Sequence, residues 1–260
     1  MLRATVVAAS AVALLAAAAP EQQMKPEATE QWTPEPPVVR PGPAQPAPPP
    51  SDAIVLFDGT NLDEWVEAGG NKAAKWTVAG GVMTVNKKTG NIETKRRFSN
   101  YQLHLEWRIP PGISGEGQGR GNSGLFMAST GGGDAGYELQ ILDSFNNKTY
   151  VNGMAGSVYK QFPPLANAMR PPGEWQTYDV VWHGPTFFPG GTLKSPATLT
   201  AWHNGVLIQD HTVVRGETAY IGPPSYRMHG PSPIKLQSHG DPSEPISFRN
   251  IWVRELPDRP

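Results

Sequence analysis

Three segments of the chain carry long hydrogen-bonding side chains at alternate positions between apolar residues. These side chains are His104, Glu106 and Arg108 in the first segment, Glu138 and Gln140 in the second, and Lys235, Gln237 and His239 in the third. Because strand side chains alternate between faces, each set shares one face of its strand. Carboxylate and imidazole groups exchange protons, and amides and cations bind hydroxyls, so the pattern favours a polar groove for carbohydrate. An ordinary solvated sheet face would show the same alternation.

Glu138 and His239 are the candidate catalytic pair, because one carboxylate and one imidazole can supply a general base and a general acid. A divalent metal is an alternative use of Glu106, Glu138 and His239, since carboxylate and imidazole suit several such ions. The spacing of these three residues is not diagnostic, so no cofactor is assigned.

The elements that must position these residues are short strands. Residues 102–109 alternate over their whole length, and Asn204-Gly205 predicts a type I′ hairpin between 198–202 and 206–209. A second hairpin is predicted around Gly80-Gly81. The other predicted strands are 125–127, 137–142, 177–182, 234–237 and 246–255. Without an amphipathic helix after residue 50, the pattern predicts an all-β, antiparallel two-sheet jelly-roll sandwich.

The first 51 residues have a different composition. Arg3 followed by the apolar run 4–19 predicts a signal peptide over residues 1–19, with an uncleaved anchor as the alternative. Residues 20–51 are rich in proline, which predicts an extended, disordered linker outside the domain. Residues 52–260 then form one domain. We therefore expect a periplasmic or extracellular protein with no membrane-spanning segment after cleavage.

Composition limits the partners. The chain has no cysteine and a formal net charge of −1, with both signs interspersed. An exported protein without disulfides must obtain its stability from burial. The charge balance indicates neither nucleic acid nor an anionic membrane as a partner.

An ordered set of motifs resembles the 3-keto-disaccharide hydrolase family. The motifs are LFDGTNLDEW (56–65), YQLHLEWR (101–108), GNSGLF (121–126), GYELQILD (136–143), PPGEWQTYD (171–179), LQSHGD (236–241) and FRNIW (248–252). The resemblance implies a concanavalin-like fold, bacterial carbohydrate breakdown, and glycoside substrates whose glucose unit carries a ketone at C3. The expected substrate-binding residues are Glu106, Arg108, Asn122, Gln140, Tyr159, Lys235 and Gln237. Ser238 replaces an acidic residue common in the family, and residues 187–196 are an insertion; both affect the expected substrate range.

The family is similar in fold to family 16 glycoside hydrolases, which place carboxylates at alternate positions of one strand. Here the corresponding positions are Glu138, Gln140 and Leu142, so the second carboxylate is missing. A retaining double displacement needs two carboxyl groups about 5 Å apart. A 3-keto sugar does not need two carboxylates, because its ketone acidifies the C2 hydrogen. One base can then start an elimination at C1. Lys235, Arg108 or a metal is expected to stabilise the enolate.

Two other classes of function fit the same fold. A non-catalytic carbohydrate-binding module would use exposed aromatic platforms, for which Tyr159, Trp175 and Trp202 are candidates. A structural envelope protein is the third interpretation, and the polar groove argues against it.

Overall fold

The computed structural model describes residues 24–45 and 47–258. The predicted signal peptide lies outside the described residues. Within the described part of the chain, no helix has the length and apolar character needed to cross a membrane.

The described residues form strands joined by loops and three short 3-10 turns, at Pro26–Thr29, Gly117–Gly119 and Val151–Gly153. The strands are β1 (Ile54–Phe57), β2 (Trp65–Glu67), β3 (Thr77–Ala79), β4 (Val82–Thr84), β5 (Ile92–Thr94), β6 (Asn100–Arg108), β7 (Ser123–Ser129), β8 (Gly136–Ile141), β9 (Trp175–His183), β10 (Thr186–Phe187), β11 (Leu193–Ser195), β12 (Thr198–His203), β13 (Val206–Val213), β14 (Lys235–Leu236) and β15 (Ser247–Glu255).

Two antiparallel sheets make a sandwich, which confirms the predicted fold class. The large sheet has the order β13-β12-β9-β6-β15-β4-β3, with β1 also paired to β15. The small sheet has the order β2-β5-β14-β7-β8, so β8 is at its edge. The insertion at 187–196 contributes to a separate two-stranded hairpin of β10 and β11.

The predicted hairpins are also present. Asn204 and Gly205 have φ of 52° and 80°, the left-handed values that a type I′ turn requires. The short strands β1, β2 and β5 were not predicted. At three or four residues each, they are too brief for a period of two to be read from the sequence.

The core lies between the two sheets. Leu103, Leu105 and Trp107 of β6 face inward and join one buried cluster with Leu139 and Ile141 of β8. Two tyrosines of the large sheet cross this core to backbone carbonyls of the small sheet. The hydroxyl of Tyr101 donates to the carbonyl of Met127 at 2.7 Å, and that of Tyr178 donates to the carbonyl of Gln140 at 2.8 Å. These bonds fix the small sheet, including the strand that carries Glu138.

The proline-rich segment, residues 24–45 and 47–51, is here called the strap. It was predicted to be a disordered linker outside the domain, and for the described residues this is wrong. Proline lacks an N–H but keeps its carbonyl, so the strap offers acceptors to donors of the sandwich. Arg170 donates to the carbonyl of Gly42 at 2.6 Å, and Trp252 donates to that of Ala47 at 3.2 Å. Val38 pairs with Asn167 in a parallel bridge.

The outer face of the large sheet carries a buried charge cluster centred on His104. Its Nδ1 lies 2.7 Å from Asp179, and its Nε2 lies 3.7 Å from Glu106. Burial alone would lower the pKa of His104, but the hydrogen bond to Asp179 and the close negative charge of both carboxylates outweigh it and raise the pKa from 6.5 to about 9. Arg249 donates to Glu106 at 2.6 Å. The cluster therefore favours an imidazolium in the folded protein.

This cluster predicts that stability falls at alkaline pH. A group whose pKa is raised on folding stabilises fully below its unfolded pKa, and the stabilisation is lost as pH rises through the folded pKa. We expect the free energy of unfolding to fall by about 3 kcal/mol between pH 6.5 and pH 9. Urea denaturation across that range measures it.

The matched control is Asp179→Asn, which removes the closer carboxylate and leaves the rest of the sheet unchanged. This variant should lose most of the pH dependence, because its His104 titrates nearer the unfolded value. Equal pH dependence in the variant and the wild type would show that the His104 cluster is not its source.

Candidate active site

The free edge of β8 is covered by a loop, and this positions the candidate site. The backbone of residues 156–159 pairs with β8: Tyr159 N–H donates to the carbonyl of Glu138 at 3.1 Å, and Gln140 N–H donates to that of Ser157 at 2.9 Å. Thr218 Oγ1 accepts the N–H of Glu138 at 3.0 Å. Two loops therefore cover the backbone edge of a strand that would otherwise be open to solvent.

A pocket of about 380 Å³ lies on this face of the small sheet. Its wall combines two carboxyl groups, one imidazole, three amides, a threonine and two tyrosines. The lining residues are Asn122, Asp134, Glu138, Gln140, Tyr159, Thr218, Tyr220, Gln237 and His239. Six predicted site residues from four parts of the sequence thus meet at one place, and Glu138 and His239 are both among them.

Glu138 is the buried acid of the pocket, with 4% of the residue exposed. Burial raises the pKa of its carboxyl well above the ordinary value; the negative charge of Asp134 adds to this, and Lys235 opposes it. Gly124, on the adjacent strand, makes room for the side chain, since a Cβ there would lie 2.4 Å from Glu138 Oε1. The carboxyl is therefore held against bare backbone in a site that favours its protonated form.

His239 is oriented by Asp241. Its Nδ1 lies 3.1 Å from the Asp241 carboxylate and 3.1 Å from the Asp241 backbone nitrogen. The ring can thus accept from the backbone N–H when Nδ1 is unprotonated, or donate to the carboxylate when it is protonated. Burial would raise the pKa of Asp241, but hydrogen bonds from His239 and Ser243 and the charge of Lys87 lower it below its ordinary value. The Asp241 carboxylate therefore favours its ionised form and holds the His239 ring in place.

The amides supply fixed hydrogen-bonding groups. Gln118 Oε1 accepts from Gln140 Nε2 at 3.1 Å, and the Gln118 carbonyl accepts from Asn122 Nδ2 at 2.9 Å. These bonds hold the Gln140 amide in a fixed orientation. The buried Oε1 atoms of Gln140 and Gln237 have no hydrogen-bond partner among the described residues. Buried acceptors of this kind are costly unless a ligand donates to them, and sugar hydroxyls are suitable donors.

Lys235 does not have the predicted role of holding an enolate. It lies on the same sheet face but is fully buried, and its ammonium group donates to the carbonyls of Gly131, Gly133 and Ala135 at 3.3, 2.9 and 2.7 Å. An ammonium group has three N–H donors, so none remains for a substrate. Lys235 instead anchors the glycine-rich loop that places Asp134 beside Glu138.

Glu106 and Arg108 were also predicted to lie in the groove, and this is wrong. Both belong to β6 of the large sheet, where Glu106 binds Arg249 and Asn250, and the Arg108 guanidinium lies 4.6 Å from the Trp175 ring. Alternation predicts the face of each strand but not the sheet to which the strand belongs. The proposed metal set of Glu106, Glu138 and His239 is consequently not assembled. Elsewhere among the described residues, no group of three metal-ligating side chains occurs.

Of the three candidate aromatic platforms, one lies at the pocket and two lie on the large sheet. Tyr159 lines the pocket, and its hydroxyl is 2.6 Å from that of Tyr150. Trp175 and Trp202 lie on β9 and β12 of the large sheet.

Three pocket residues were not predicted from the sequence: Asp134, Thr218 and Tyr220. The glycine run 131–133 was the available signal for Asp134, whereas the loop at 218–220 shows no pattern.

The electrostatic environment of Glu138 predicts the effect of Asp134→Asn. Removing the negative charge beside Glu138 should lower the pKa of Glu138, because ionisation then meets less repulsion. The carboxyl carbon resonance of Glu138 followed against pH measures the change. Asp210→Asn, an exposed change on the large sheet, should leave it unaltered. An unchanged Glu138 titration in the Asp134 variant would contradict this account of the pocket.

An antiparallel sandwich with carboxyl, imidazole and amide groups in one pocket is typical of carbohydrate-active proteins. Residues 52–254 match the 3-keto-alpha-glucoside-1,2-lyase-like domain, which is most of the chain. The chain therefore belongs to this family, and the resemblance inferred from its motifs is confirmed.

Similar proteins agree with this assignment. A 3-keto-disaccharide hydrolase of Bacteroides thetaiotaomicron is 23% identical over 241 residues, covering 78% of each chain. A crystal structure from Parabacteroides distasonis, described provisionally as a glycosyl hydrolase, is 53% identical with a TM-score of 0.77, covering 88% of this chain and 96% of its own. A second one from that organism, 19% identical with a TM-score of 0.55 over 79% of this chain and 94% of its own, has the same fold. The family match, the Bacteroides relative and the first Parabacteroides structure support a carbohydrate-active enzyme of the glycoside hydrolase type.

Proposed function

We propose that this protein is an exported enzyme that cleaves the glycosidic bond of 3-keto-glycosides by removing the C2 proton and eliminating the C1 substituent. One observation carries the proposal. The pocket contains a buried carboxyl of raised pKa, Glu138, together with an oriented imidazole, His239, but no second carboxylate on the same strand. Family membership and the hydrolase name of the Bacteroides relative support the substrate class.

Asp134 is the other carboxylate of the pocket, and its position does not suit a double displacement. It is exposed on the loop held by Lys235, where its Oδ1 accepts from Asn91 Nδ2 at 3.0 Å. Its effect on Glu138 is electrostatic, through the pKa. A one-base elimination therefore uses the residues present better than a two-carboxylate mechanism.

The proposed reaction begins at C2 of the 3-keto sugar. Glu138 takes the proton from C2, and the electron pair of that bond forms an enolate with the C3 ketone. The enolate re-forms the ketone, C1 and C2 become doubly bonded, and the C1–O bond breaks, with His239 donating the proton that the leaving oxygen needs. Addition of water, with OH to C1 and H to C2, gives the free 3-keto sugar. The overall result is hydrolysis.

The lining favours an uncharged sugar. Among the described residues that line the pocket there is no lysine or arginine, whereas two carboxyl groups are present. The unpartnered acceptors of Gln140 and Gln237 suit hydroxyl donors. A sugar carrying a carboxylate or phosphate would meet repulsion without a cation to offset it, so neutral 3-keto-glycosides are the proposed substrates.

Glu138→Gln tests the proposal most simply. The amide keeps the shape of the side chain but cannot accept a proton, so the rate on a 3-keto-glucoside should fall by about 10²–10⁴-fold. Substrate binding and folding should change little. Glu174→Gln, an exposed glutamate on a loop, should retain wild-type turnover. Activity of the Glu138 variant within a few-fold of wild type, or equal wild-type activity on the unoxidised glycoside, would exclude this role.

Gly124→Ala tests the position of the carboxyl without changing its chemistry. The added methyl would lie 2.4 Å from Glu138 Oε1 and 3.1 Å from a ring carbon of Phe126, so the carboxyl must move. Gly124 does not have a positive φ, so the backbone itself tolerates alanine. We expect at least about a tenfold loss of kcat, because catalysis is sensitive to displacements of about 1 Å. Wild-type kcat in a folded Gly124→Ala protein would place the reacting group elsewhere.

The pH dependence distinguishes a base from an acid at Glu138. A base must be ionised, so kcat/KM should rise with pH through the raised pKa of the free enzyme's Glu138. In Asp134→Asn that rise should move to lower pH. A profile that instead falls through this pKa would assign Glu138 as the proton donor.

A further inference from the structure

The beginning of the strap lies against the pocket wall. Lys160 follows the pocket residue Tyr159, and its Nζ donates to the carbonyls of Pro26 in the strap, at 2.7 Å, and Tyr220 in the pocket, at 3.0 Å. Lys160 thus links the strap to Tyr220 by hydrogen bonds and to Tyr159 as its neighbour in the sequence.

Lys160 is a buried cation with an unusual backbone conformation. Only 6% of the residue is exposed, and its φ is 57°, in the region that non-glycine residues rarely occupy. Burial lowers the pKa of its amine, and Glu30 and Glu27 of the strap oppose that shift. Its ammonium group also lies 4.5 Å from the centre of the Tyr220 ring. A buried cation at a strained residue persists where surrounding contacts hold it, and here the strap supplies several of them.

A second set of contacts anchors the same part of the strap. Asn152 accepts the N–H of Gln31 at 2.9 Å and donates to the carbonyl of Thr29 at 2.9 Å. The ring of Trp32 packs edge-on against Tyr150, 6.1 Å between centres. The Tyr150 hydroxyl in turn binds that of Tyr159. The strap therefore contacts each pocket tyrosine through a different residue. Lys160 connects it to Tyr220, and Tyr150 connects it to Tyr159.

We infer that strap residues 24–32 form part of the substrate site by fixing the Tyr159–Tyr220 wall of the pocket, with Lys160 and Trp32 as positioning residues. The inference rests on the proposed function for its kinetic consequence. It goes beyond the family match, which begins at residue 52. The Parabacteroides alignment, at 88% of this chain, spans more residues than 52–260 contain, so it includes part of the segment before the domain.

The experiment uses the full chain with Lys160→Met and Trp32→Ala. Lys160→Met keeps the apolar stem but removes the donors to Pro26 and Tyr220. Trp32→Ala alters only the strap, at a half-exposed side chain outside the sandwich core. KM for a 3-keto-glucoside should rise about tenfold in Lys160→Met and by less in Trp32→Ala, with kcat within about twofold, because only positioning of the bound sugar is lost.

Arg170→Gln is the matched control. It releases the strap at Gly42, where none of the pocket residues lies, so KM should stay at the wild-type value. A second readout does not depend on turnover. In protein labelled with fluorotyrosine, the resonances of Tyr159 and Tyr220 should shift or broaden in Lys160→Met and Trp32→Ala but not in Arg170→Gln.

The outcomes separate the two proposals. Unchanged tyrosine resonances in both strap variants would overturn the inference, whatever the substrate is. Altered resonances with unchanged KM would also overturn it, because the wall would then not bind the sugar. A wild-type protein inactive on 3-keto-glycosides would refute the proposed function, and the fluorine spectra would still decide whether the strap fixes the wall.

Discussion

The pairing of the 156–159 loop with the edge of β8 is the constraint on which the site depends. An unpaired edge strand would expose its backbone and leave Glu138 in water. The loop satisfies the carbonyl of Glu138 and both backbone groups of Gln140, and it sets Tyr159 beside them. From the core side, Tyr178 bonds to Gln140, so the same strand is held on two sides. Burial of Glu138 and the shape of the pocket follow from that arrangement.

The neighbours of each carboxyl explain why Glu138 differs chemically from Glu106, since both side chains are buried. Glu106 is bound by Arg249, Asn250 and His104, which outweigh the cost of burial and lower its pKa to about 2. Among the described residues, the cation that opposes the raised pKa of Glu138 is Lys235, whose ammonium group is already bound to three carbonyls. Two glutamates that occur in the same alternating sequence pattern thus have pKa values shifted in opposite directions. Only the one with a raised pKa can serve as a base matched to a weakly acidic carbon.

Much of the architecture could be predicted from sequence because alternation, glycine turns and the absence of helical periodicity are local signals. They identified the large strands, the Asn204-Gly205 turn and the outward faces of β8 and β14. The sheet to which each strand belongs depends on non-local pairing, which is why Glu106 and Arg108 were misplaced. The strap was misjudged because its proline content excludes strand pairing but leaves its carbonyls available. The residues that donate hydrogen bonds to those carbonyls, such as Lys160 and Asn152, are isolated polar residues that form no local sequence pattern.

Solvent deuterium at C2 tests the central claim, that cleavage passes through removal of the C2 proton. The wild-type protein would be run on a 3-keto-glucoside in D₂O at partial conversion, with preformed product incubated in parallel to correct for spontaneous exchange. Elimination and hydration deliver a solvent deuteron to C2, so the account predicts about one deuterium at that carbon for each bond cleaved. Complete turnover with hydrogen retained at C2 would show direct displacement at C1 and contradict the proposed mechanism.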